Sequence, residues 1–220
     1  MRGLLVVCAL LVAGPAEAAP ELDALIKNAP GCDAKRTNCF GLAVHVAVGD
    51  AGPITTAEWI AAQVTGANKH FESLATEFRI VSIDALPASA LRVEDRKERD
   101  SFAPIAYAEA AKRRVIHVFV TGRLDDIDIP GNEIYGVAWR SKTNVKLVIL
   151  STQAWARTLA HELGHVFGLP HSTYPISIMN KSELKDPPPD QRTFDPKELA
   201  AMKPRIAYFV KSGALVATRP

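Results

Sequence analysis

The sequence predicts an α+β domain, α/β-like in its alternation, in which a mixed and mostly parallel sheet packs against helices. Its 220 residues are 48% hydrophobic and 23% charged, a composition typical of globular proteins and sufficient for one core. Runs of alternating apolar residues, typical of strands, are separated by segments with helical spacing. Strands joined through helices favour parallel crossovers, whereas the short polar turn between the last two runs requires an antiparallel pair.

The individual elements follow in the order strand, helix, strand, helix, strand, hairpin. Residues 42–48 alternate between larger apolar and smaller side chains, as in a strand. Thr55 and Glu58 have capping-box spacing and open a predicted helix over 56–72. The mixed charges of 92–100 predict a solvated helix or loop. The remaining predicted elements are strands at 78–83, 115–120, 136–140 and 145–150, a helix at 103–113, and a further helix that opens near 152–154.

Residues 1–19 have the three parts of a secretory signal peptide. Arg2 is followed by an apolar run of about 12 residues, and Ala16 and Ala18 are the small residues that signal peptidase requires. We therefore expect cleavage after Ala18 or Ala19. The apolar run is shorter than the roughly 20 residues of a membrane-spanning helix, and no later run is longer. The mature chain is expected to be secreted or periplasmic, without an integral membrane segment.

Residues 20–40 are predicted to form a short N-terminal extension or pro-segment. It contains Cys32 and Cys39, which can form a local disulfide in an oxidising compartment. Alternatively, Cys32 caps a metal ion as a thiolate and keeps a precursor latent. Three cysteines in the whole chain are too few for a fold that is built on disulfides.

Neither the net charge nor the acidic residues indicate a further partner. The chain has 26 Lys and Arg against 24 Asp and Glu, and its net charge of +2 gives too weak a field to attract nucleic acid. The carboxylates clustered in 125–133 could hold calcium, but their spacing does not follow an EF-hand loop. An ordinary solvated loop is the favoured interpretation, and calcium has only weak support.

Residues 161–171 read His-Glu-Leu-Gly-His-Val-Phe-Gly-Leu-Pro-His and contain a metal-binding pattern. His161 and His165 are four residues apart on a predicted helix, so their rings share one face and can bind one zinc ion. Gly168 can take the positive φ that ends the helix and turns the chain back. This turn would bring His171 round as a third ligand and leave the fourth position to a water molecule.

Glu162 directly follows the first of these histidines. Its carboxylate can take a proton from the water at the fourth position and pass it to the leaving amine, as a catalytic base does. Three histidines with a glutamate and a glycine at this spacing are far rarer by chance than a two-histidine motif. By contrast, His45, His70 and His117 are isolated in the sequence, and we interpret them as packing or surface residues.

With this long histidine motif, the sequence resembles the metzincin clan of zinc metallopeptidases, in which a methionine-bearing turn lies under the metal. The run at 177–180, Ser-Ile-Met-Asn, matches that turn, with Met179 as its methionine. The resemblance implies the metzincin catalytic fold: a twisted mixed five-stranded sheet with one antiparallel edge strand, an active-site helix and a small C-terminal subdomain that ends in a helix. Asp195 is the predicted cap of that last helix. Residues 41–220 would then form the catalytic domain.

Within the clan, the motif looks most like matrixins and related small bacterial enzymes, including pappalysin-like ones. The histidine-rich loop that binds calcium and structural zinc in matrixins is not evident at 123–135. Lys181 stands where astacin-like and serralysin-like enzymes place a zinc-associated tyrosine. The resemblance therefore implies one catalytic zinc ion and gives no support for structural metals.

The activity that the resemblance implies is that of a secreted zinc-dependent endopeptidase, with the three motif histidines as ligands and Glu162 as the base. Its protein or peptide substrate would lie extended along the edge strand Gly136–Arg140. A gluzincin-type site would instead combine the first two histidines with a downstream glutamate such as Glu183. A secreted binding or toxin-like module would carry an inactive zinc site, and a cell-wall amidase would share the zinc chemistry.

Overall fold

The computed structural model describes residues 32–33, 35–106, 108, 114–181 and 186–216. The predicted signal peptide and most of the predicted N-terminal extension lie outside these residues. The end of the helix predicted at 103–113 and Glu183, the alternative metal ligand, also lie outside them. Among the helices that the structure does describe, none is long and apolar enough to cross a membrane.

The described elements agree in order with the prediction and differ in several bounds. The strands are β1 (Asn38–Gly49), β2 (Gly52–Pro53), β3 (Thr76–Leu86), β4 (Arg92–Val93), β5 (Ile116–Thr121), β6 (Arg123–Leu124), β7 (Gly136–Arg140) and β8 (Lys146–Ser151). The α-helices are α1 (Ala57–Phe71), α2 (Arg96–Ser101), α3 (Thr158–Val166) and α4 (Pro196–Lys211). Short 3-10 helices lie at Glu72–Leu74, Ala88–Leu91 and Pro189–Gln191.

Five long strands form the main sheet in the order β3-β1-β5-β8-β7. The first four pair in parallel, and β7 lies antiparallel to β8 at the edge, with Ala138 opposite Val148. This arrangement confirms the predicted mixed sheet with one antiparallel edge strand. The two-residue strand β2 adds a further antiparallel pairing at the end of β1. Such a short strand has no periodicity from which it could be predicted.

The two faces of the sheet carry separate cores, because successive side chains of a strand point to opposite faces. Helices α1 and α3 cover one face, where the ring of Phe71 meets those of Phe167 and Phe194 edge to face. Phe194 precedes α4, so the C-terminal subdomain joins this core. The chain between β3 and β5 covers the other face, where Phe102 stacks on Phe119.

Helix α1 begins one residue later than predicted. Its cap is Thr56, whose hydroxyl accepts a hydrogen bond from the N–H of Trp59 (3.3 Å). The predicted capping box that starts at Thr55 is therefore wrong. Two adjacent threonines offer the same cap chemistry, and the spacing to Glu58 alone does not decide between them.

The segment before α3 is irregular, so this helix begins at Thr158 and not near 152–154 as predicted. Gln63 of α1 donates from Nε2 to the carbonyl oxygen of Trp155 (2.9 Å). Its Oε1 accepts from the N–H of Leu159 (3.1 Å). A side chain from a distant helix thus caps α3 in place of a local cap residue, and a local pattern cannot reveal such a cap.

The charged run at 92–100 is only partly solvated. Asp95 caps the short helix α2 with its side chain. Arg99 is 2% exposed, donates to the carbonyl oxygen of Asp125 (2.7 Å) and lies over the ring of Trp139. The prediction of a solvated helix or loop is wrong for Arg99, because its guanidinium lies over the indole ring of Trp139 in a cation–π contact and is buried there.

Cys32 and Cys39 form a disulfide that ties the residues before β1 to that strand. Both cysteines are buried. The backbone N–H of Asp33 donates to the side chain of Glu77 (2.8 Å), which further holds this segment to β3. In this form Cys32 has no thiolate for a metal ion, which favours the disulfide interpretation over the latency interpretation.

We expect Phe71→Ala to lower the free energy of unfolding by about 3–5 kcal/mol, because it leaves a cavity where three rings now meet. Denaturant unfolding of the metal-free protein measures this change. Tyr208→Ala on α4 is the control, since this side chain is 60% exposed and its loss should change stability by less than about 0.5 kcal/mol. Equal losses in the two variants would contradict the described core.

Candidate metal centre

Three histidines from two segments meet beside helix α3. His161 and His165 lie one helical turn apart on α3, with ring centroids 4.8 Å apart. His171 follows the helix, and its ring centroid lies 4.6 Å from that of His165 and 5.4 Å from that of His161. One nitrogen of each ring lies within 4.8 Å of the others. In the described part of the chain, this is the only group of three or more potential metal ligands that converges in this way.

Backbone carbonyl groups orient two of the three rings. Nδ1 of His161 lies 2.7 Å from the carbonyl oxygen of Ile178, and Nδ1 of His165 lies 2.7 Å from that of Leu169. A carbonyl oxygen can only accept, so each Nδ1 carries the proton and each Nε2 keeps its lone pair. The Nε2 atoms of His165 and His171 are 3.1 Å apart. The Nε2 lone pairs of His161 and His165 are thus available to a cation, and Nε2 of His171 lies beside them.

The three imidazoles are neutral at physiological pH. Burial lowers the pKa of His161 and that of His171 to about 4, and it lowers the pKa of His165 as well. Neighbouring positive charge, including that of Lys181, acts in the same direction. A neutral imidazole is the form that binds a metal ion.

The turn after α3 brings the third histidine back to the other two. Gly168 has a φ of +96°, a left-handed conformation that favours glycine. The N–H of Leu169 donates to the carbonyl oxygen of Gly164 (2.9 Å), which closes the end of the helix. The sequence-based prediction of a turn at Gly168 that returns His171 to the helix is confirmed.

Met179 lies buried beneath α3, in the turn at 177–180 that we call the Met-turn. The N–H of Asn180 donates to the carbonyl oxygen of Ser177 (3.2 Å) and closes this turn. A Cβ atom on Gly164 would lie only 2.8 Å from the sulfur of Met179. Glycine at this position therefore allows the methionine to pack directly against the helix that carries His161 and His165.

The carboxylate of Glu162 is 4% exposed and lies against the edge strand β7. Burial raises its pKa to about 8, while the backbone N–H of Ala138 and the charge of Lys181 act in the opposite direction. A Cβ atom on Gly136 would lie 3.0 Å from Oε1 of Glu162. Glycine at the start of β7 thus leaves room for this carboxylate. This role of Gly136 was not predictable from the sequence, because a glycine within a strand pattern has several possible causes.

Two histidines that are isolated in the sequence meet on the opposite face of the sheet. Nε2 of His45 on β1 lies 2.9 Å from Nδ1 of His117 on β5, and their rings are stacked. Phe119 stacks on the His45 ring, and the Asp84 carboxylate lies 3.6 Å from Nδ1 of His45. Both histidines are buried. They belong to the core, in agreement with their interpretation as packing residues.

Arginines hold several of the carboxylates at 125–133. Asp125 pairs with Arg123 and with Arg92 (3.2 Å), and Glu133 pairs with Arg123 (3.1 Å). These ion pairs explain why the carboxylates cluster in this connection without requiring a cation. Calcium binding by this segment has only the weak support of the sequence, and these contacts do not test it.

A family model described as Metallo-peptidase family M12B Reprolysin-like matches residues 57–172, from the start of α1 to just beyond His171. The match includes more than half of the 220 residues and all three converging histidines. This chain belongs to the M12B reprolysin-like metallopeptidase family. Membership confirms the metzincin-type resemblance, although within that clan the motif had looked most like matrixins and pappalysin-like enzymes. No curated protein matches the sequence significantly.

Solved structures of similar fold include metalloproteinase-II from Bacteroides fragilis, with a TM-score of 0.52 and 13% identity over 84% of this chain. A chaperone-substrate complex matches 76% of this chain with a TM-score of 0.50 and 13% identity. Archaemetzincin from Methanopyrus kandleri matches 78% of this chain and 98% of its own, with a TM-score of 0.47 and 16% identity. This reprolysin-like chain spans 60% of the first structure and 34% of the second. The first two likenesses confirm the predicted fold.

Glu162→Gln is expected to stabilise the metal-free protein at neutral pH. Folding raises the pKa of Glu162 from 4.5 to about 8, so wild-type stability falls as pH rises between these values. A glutamine does not titrate. At pH 7 the variant should therefore be more stable by on the order of 1–3 kcal/mol, since one pKa unit corresponds to about 1.4 kcal/mol.

Denaturant unfolding in the presence of a chelator, at several pH values, measures this difference. The histidines titrate in both proteins, so the difference between the proteins isolates Glu162. It should disappear below about pH 4.5, where the wild-type carboxyl is protonated in both states. Identical stability from about pH 5 to pH 8 would show that the carboxylate is not buried as described.

Proposed function

We propose that this protein is a zinc-dependent endopeptidase in which His161, His165 and His171 bind one catalytic zinc ion and Glu162 is the catalytic base. The observation that carries the proposal is the convergence of three neutral imidazoles beside a buried carboxylate. Membership of a metallopeptidase family supports it.

The set of donor atoms fits zinc. Neutral imidazole is a preferred zinc ligand, and a catalytic site has three protein ligands with a fourth position open to reactants. Among the described side chains, three converge here, whereas a structural zinc site uses four. When bound, zinc supplies polarisation of the scissile carbonyl group and a lower pKa for water.

Glu162 carries out the proton transfers in this proposal. Its carboxylate oxygen accepts a proton as water attacks the carbonyl carbon of the peptide bond. The protonated carboxyl then donates this proton to the amide nitrogen as the C–N bond breaks, so that the amine leaves neutral. Burial raises the pKa of Glu162, which favours the protonated form, and the positive charge of Lys181 favours the carboxylate form. The residue can therefore serve in both states.

The substrate is a protein or peptide that adds as a strand to the open edge of β7. Along one side β7 pairs with β8, and within the described residues no strand pairs along its other side. Unpaired N–H and C=O groups of an edge strand accept an extended peptide. Because the N–H of Ala138 contacts the Glu162 carboxylate, a peptide along this strand passes close to the base.

A secreted or periplasmic location completes the proposal. It is supported by the signal-peptide pattern at 1–19 and by the Cys32–Cys39 disulfide, which persists in oxidising compartments. N-terminal sequencing of the exported protein should find a start after Ala18 or Ala19. Recovery of the uncleaved chain from the cytosol would contradict export.

Glu162→Ala is expected to retain zinc and to lose turnover by roughly 10²–10⁴-fold, the contribution typical of a general base. Cleavage of a quenched peptide library, together with the zinc content of the purified protein, measures both effects. Glu58→Ala is the matched control, because this glutamate is exposed on α1 and should not affect cleavage. A zinc-loaded Glu162→Ala protein with full activity would remove Glu162 from the mechanism.

Ligand variants separate the proposed site from a gluzincin-type site and from a binding module. His171→Ala should lose zinc, whereas Glu183→Ala should retain it, and the reverse result would indicate a gluzincin-type site. A wild-type protein that binds zinc through His171 and cleaves no peptide in the library would favour a binding module. Chelator-sensitive cleavage supports the peptidase.

A further inference from the structure

Ser177 connects the Met-turn to the C-terminal helix α4. Its hydroxyl donates to the carboxylate of Glu198, whose two oxygens lie 2.7 and 2.8 Å away. The same hydroxyl oxygen accepts from the N–H of Met179 (2.8 Å). Ser177 is fully buried and Glu198 is 5% exposed. Short hydrogen bonds that are shielded from water therefore run from α4 into the Met-turn.

The Met-turn contacts the segments of two histidines of the metal centre. The carbonyl oxygen of Ile178 accepts from Nδ1 of His161 (2.7 Å). The carbonyl oxygen of Met179 accepts from the N–H of Ser172 (3.2 Å), the residue that follows His171. A shift of this turn would thus displace the carbonyl group that accepts from His161, and it would also displace the backbone next to His171.

The cap of α4 does not by itself explain why Glu198 is buried. Oε2 of Glu198 accepts from the N–H of Asp195 (2.8 Å), and the two residues form a capping box. A capping box needs only this one bond from the glutamate side chain and does not require burial. A buried carboxylate is costly unless it is well hydrogen-bonded. The hydroxyl of Ser177 supplies the additional hydrogen bond, so contact with the Met-turn explains why Glu198 can be buried.

We propose that Ser177 and Glu198 are positioning residues of the metal centre. They hold the Met-turn so that the carbonyl oxygen of Ile178 stays at Nδ1 of His161, with Nε2 directed to the metal. This inference rests on the proposed function, since it takes His161 as a zinc ligand. Loss of the direct hydrogen-bond partner of a metal-binding histidine lowers metal affinity by about 10–100-fold, and for His161 that partner is the carbonyl oxygen of Ile178.

The contact of Met179 with Gly164 does not replace this restraint. It is an apolar contact between a thioether and a helix, and it has no strong directional preference. A hydrogen bond from an imidazole to a carbonyl group depends on both distance and angle. The orientation of the carbonyl group of Ile178 therefore depends on the hydrogen bonds between Ser177 and Glu198.

Ser177→Ala should weaken zinc binding by roughly 10-fold, the lower end of the range for a direct partner, because the carbonyl group of Ile178 is displaced and not removed. Competition with a chromogenic chelator at fixed pH measures this change. The cobalt(II)-substituted protein should also change its visible absorption spectrum, because the ring of His161 loses its restraint. Both measurements are independent of turnover. In peptide cleavage, kcat should fall with little change in KM, since Ser177 does not lie on the edge strand.

Asp195→Ala is the matched control. It removes the other half of the same cap, in which the Asp195 carboxylate accepts from the N–H of Lys197 (2.8 Å), and it leaves the bond between Ser177 and Glu198 in place. Asp195→Ala should lower the melting temperature of the metal-free protein by about 2–4 °C. Ser177→Ala should lower it by at least as much, because it leaves a buried carboxylate with one donor fewer. Only Ser177→Ala should change the zinc affinity and the cobalt spectrum.

Glu198→Gln tests the contact between α4 and the Met-turn with a side chain of nearly the same shape. It also keeps the proposal testable if Ser177→Ala does not fold. One carbonyl acceptor replaces two carboxylate oxygens, so zinc binding should weaken by less than in Ser177→Ala, yet measurably. The double variant Ser177→Ala/Glu198→Gln should bind zinc no more weakly than Ser177→Ala, because residues that act along one path are not additive.

The outcomes distinguish this inference from the proposed function. Wild-type protein that holds zinc through His171 and cleaves peptides, together with unchanged zinc affinity in Ser177→Ala and Glu198→Gln, would overturn the positioning role alone. Equal losses of affinity in Ser177→Ala and Asp195→Ala would also overturn it, because they would reduce the effect to general destabilisation. Zinc binding that is unaffected by His161→Ala would overturn both proposals, because both take His161 as a zinc ligand.

Discussion

The packing of helix α3 against the sheet and helix α1 determines where the groups of the metal centre lie. Leu159 and Leu163 are buried in the main core, and with 3.6 residues per turn the histidines of this helix fall on another side. The side chain of Gln63 on α1 accepts a hydrogen bond from a free backbone N–H in the first turn of α3, and the positive φ of Gly168 ends the helix. The positions of the first two histidines therefore follow from apolar packing and capping, which need no metal ion.

Backbone groups contribute as much to the site as side chains do. The carbonyl groups of Ile178 and Leu169 select the tautomer of His161 and His165, and an imidazole N–H that is buried needs such a partner. Both carbonyl groups lie in turns that follow α3 in the chain. The orientation of these two rings thus depends on the turn at Gly168 and on the Met-turn, although the rings themselves belong to α3.

The main sheet and the convergence of the histidines on α3 were predictable because both depend on periodic patterns. Strand alternation indicated β1, and a compact apolar run indicated β5. Helical spacing placed two histidines on one face, where the structure also has them. The features that the sequence did not predict depend on contacts between residues that are far apart in the chain. Gln63 bonds the segment before α3, so that this helix begins later than predicted. The guanidinium of Arg99 lies over the ring of Trp139. Glu198, the glutamate of the α4 capping box, accepts a hydrogen bond from the buried hydroxyl of Ser177. Such pairs are distant in sequence and have no local spacing that identifies them.

The disulfide near the N-terminus has a consequence for the maturation of the chain. A cut before Cys32 would leave a short stub attached to β1. A cut between Cys32 and Cys39 would sever the backbone, but the upstream fragment would stay covalently bound through the two sulfur atoms. Release of the extension by proteolysis inside this loop therefore requires a reducing agent as well as a protease. In an oxidising compartment, the cleaved and the intact chains would have nearly the same mass until they are reduced.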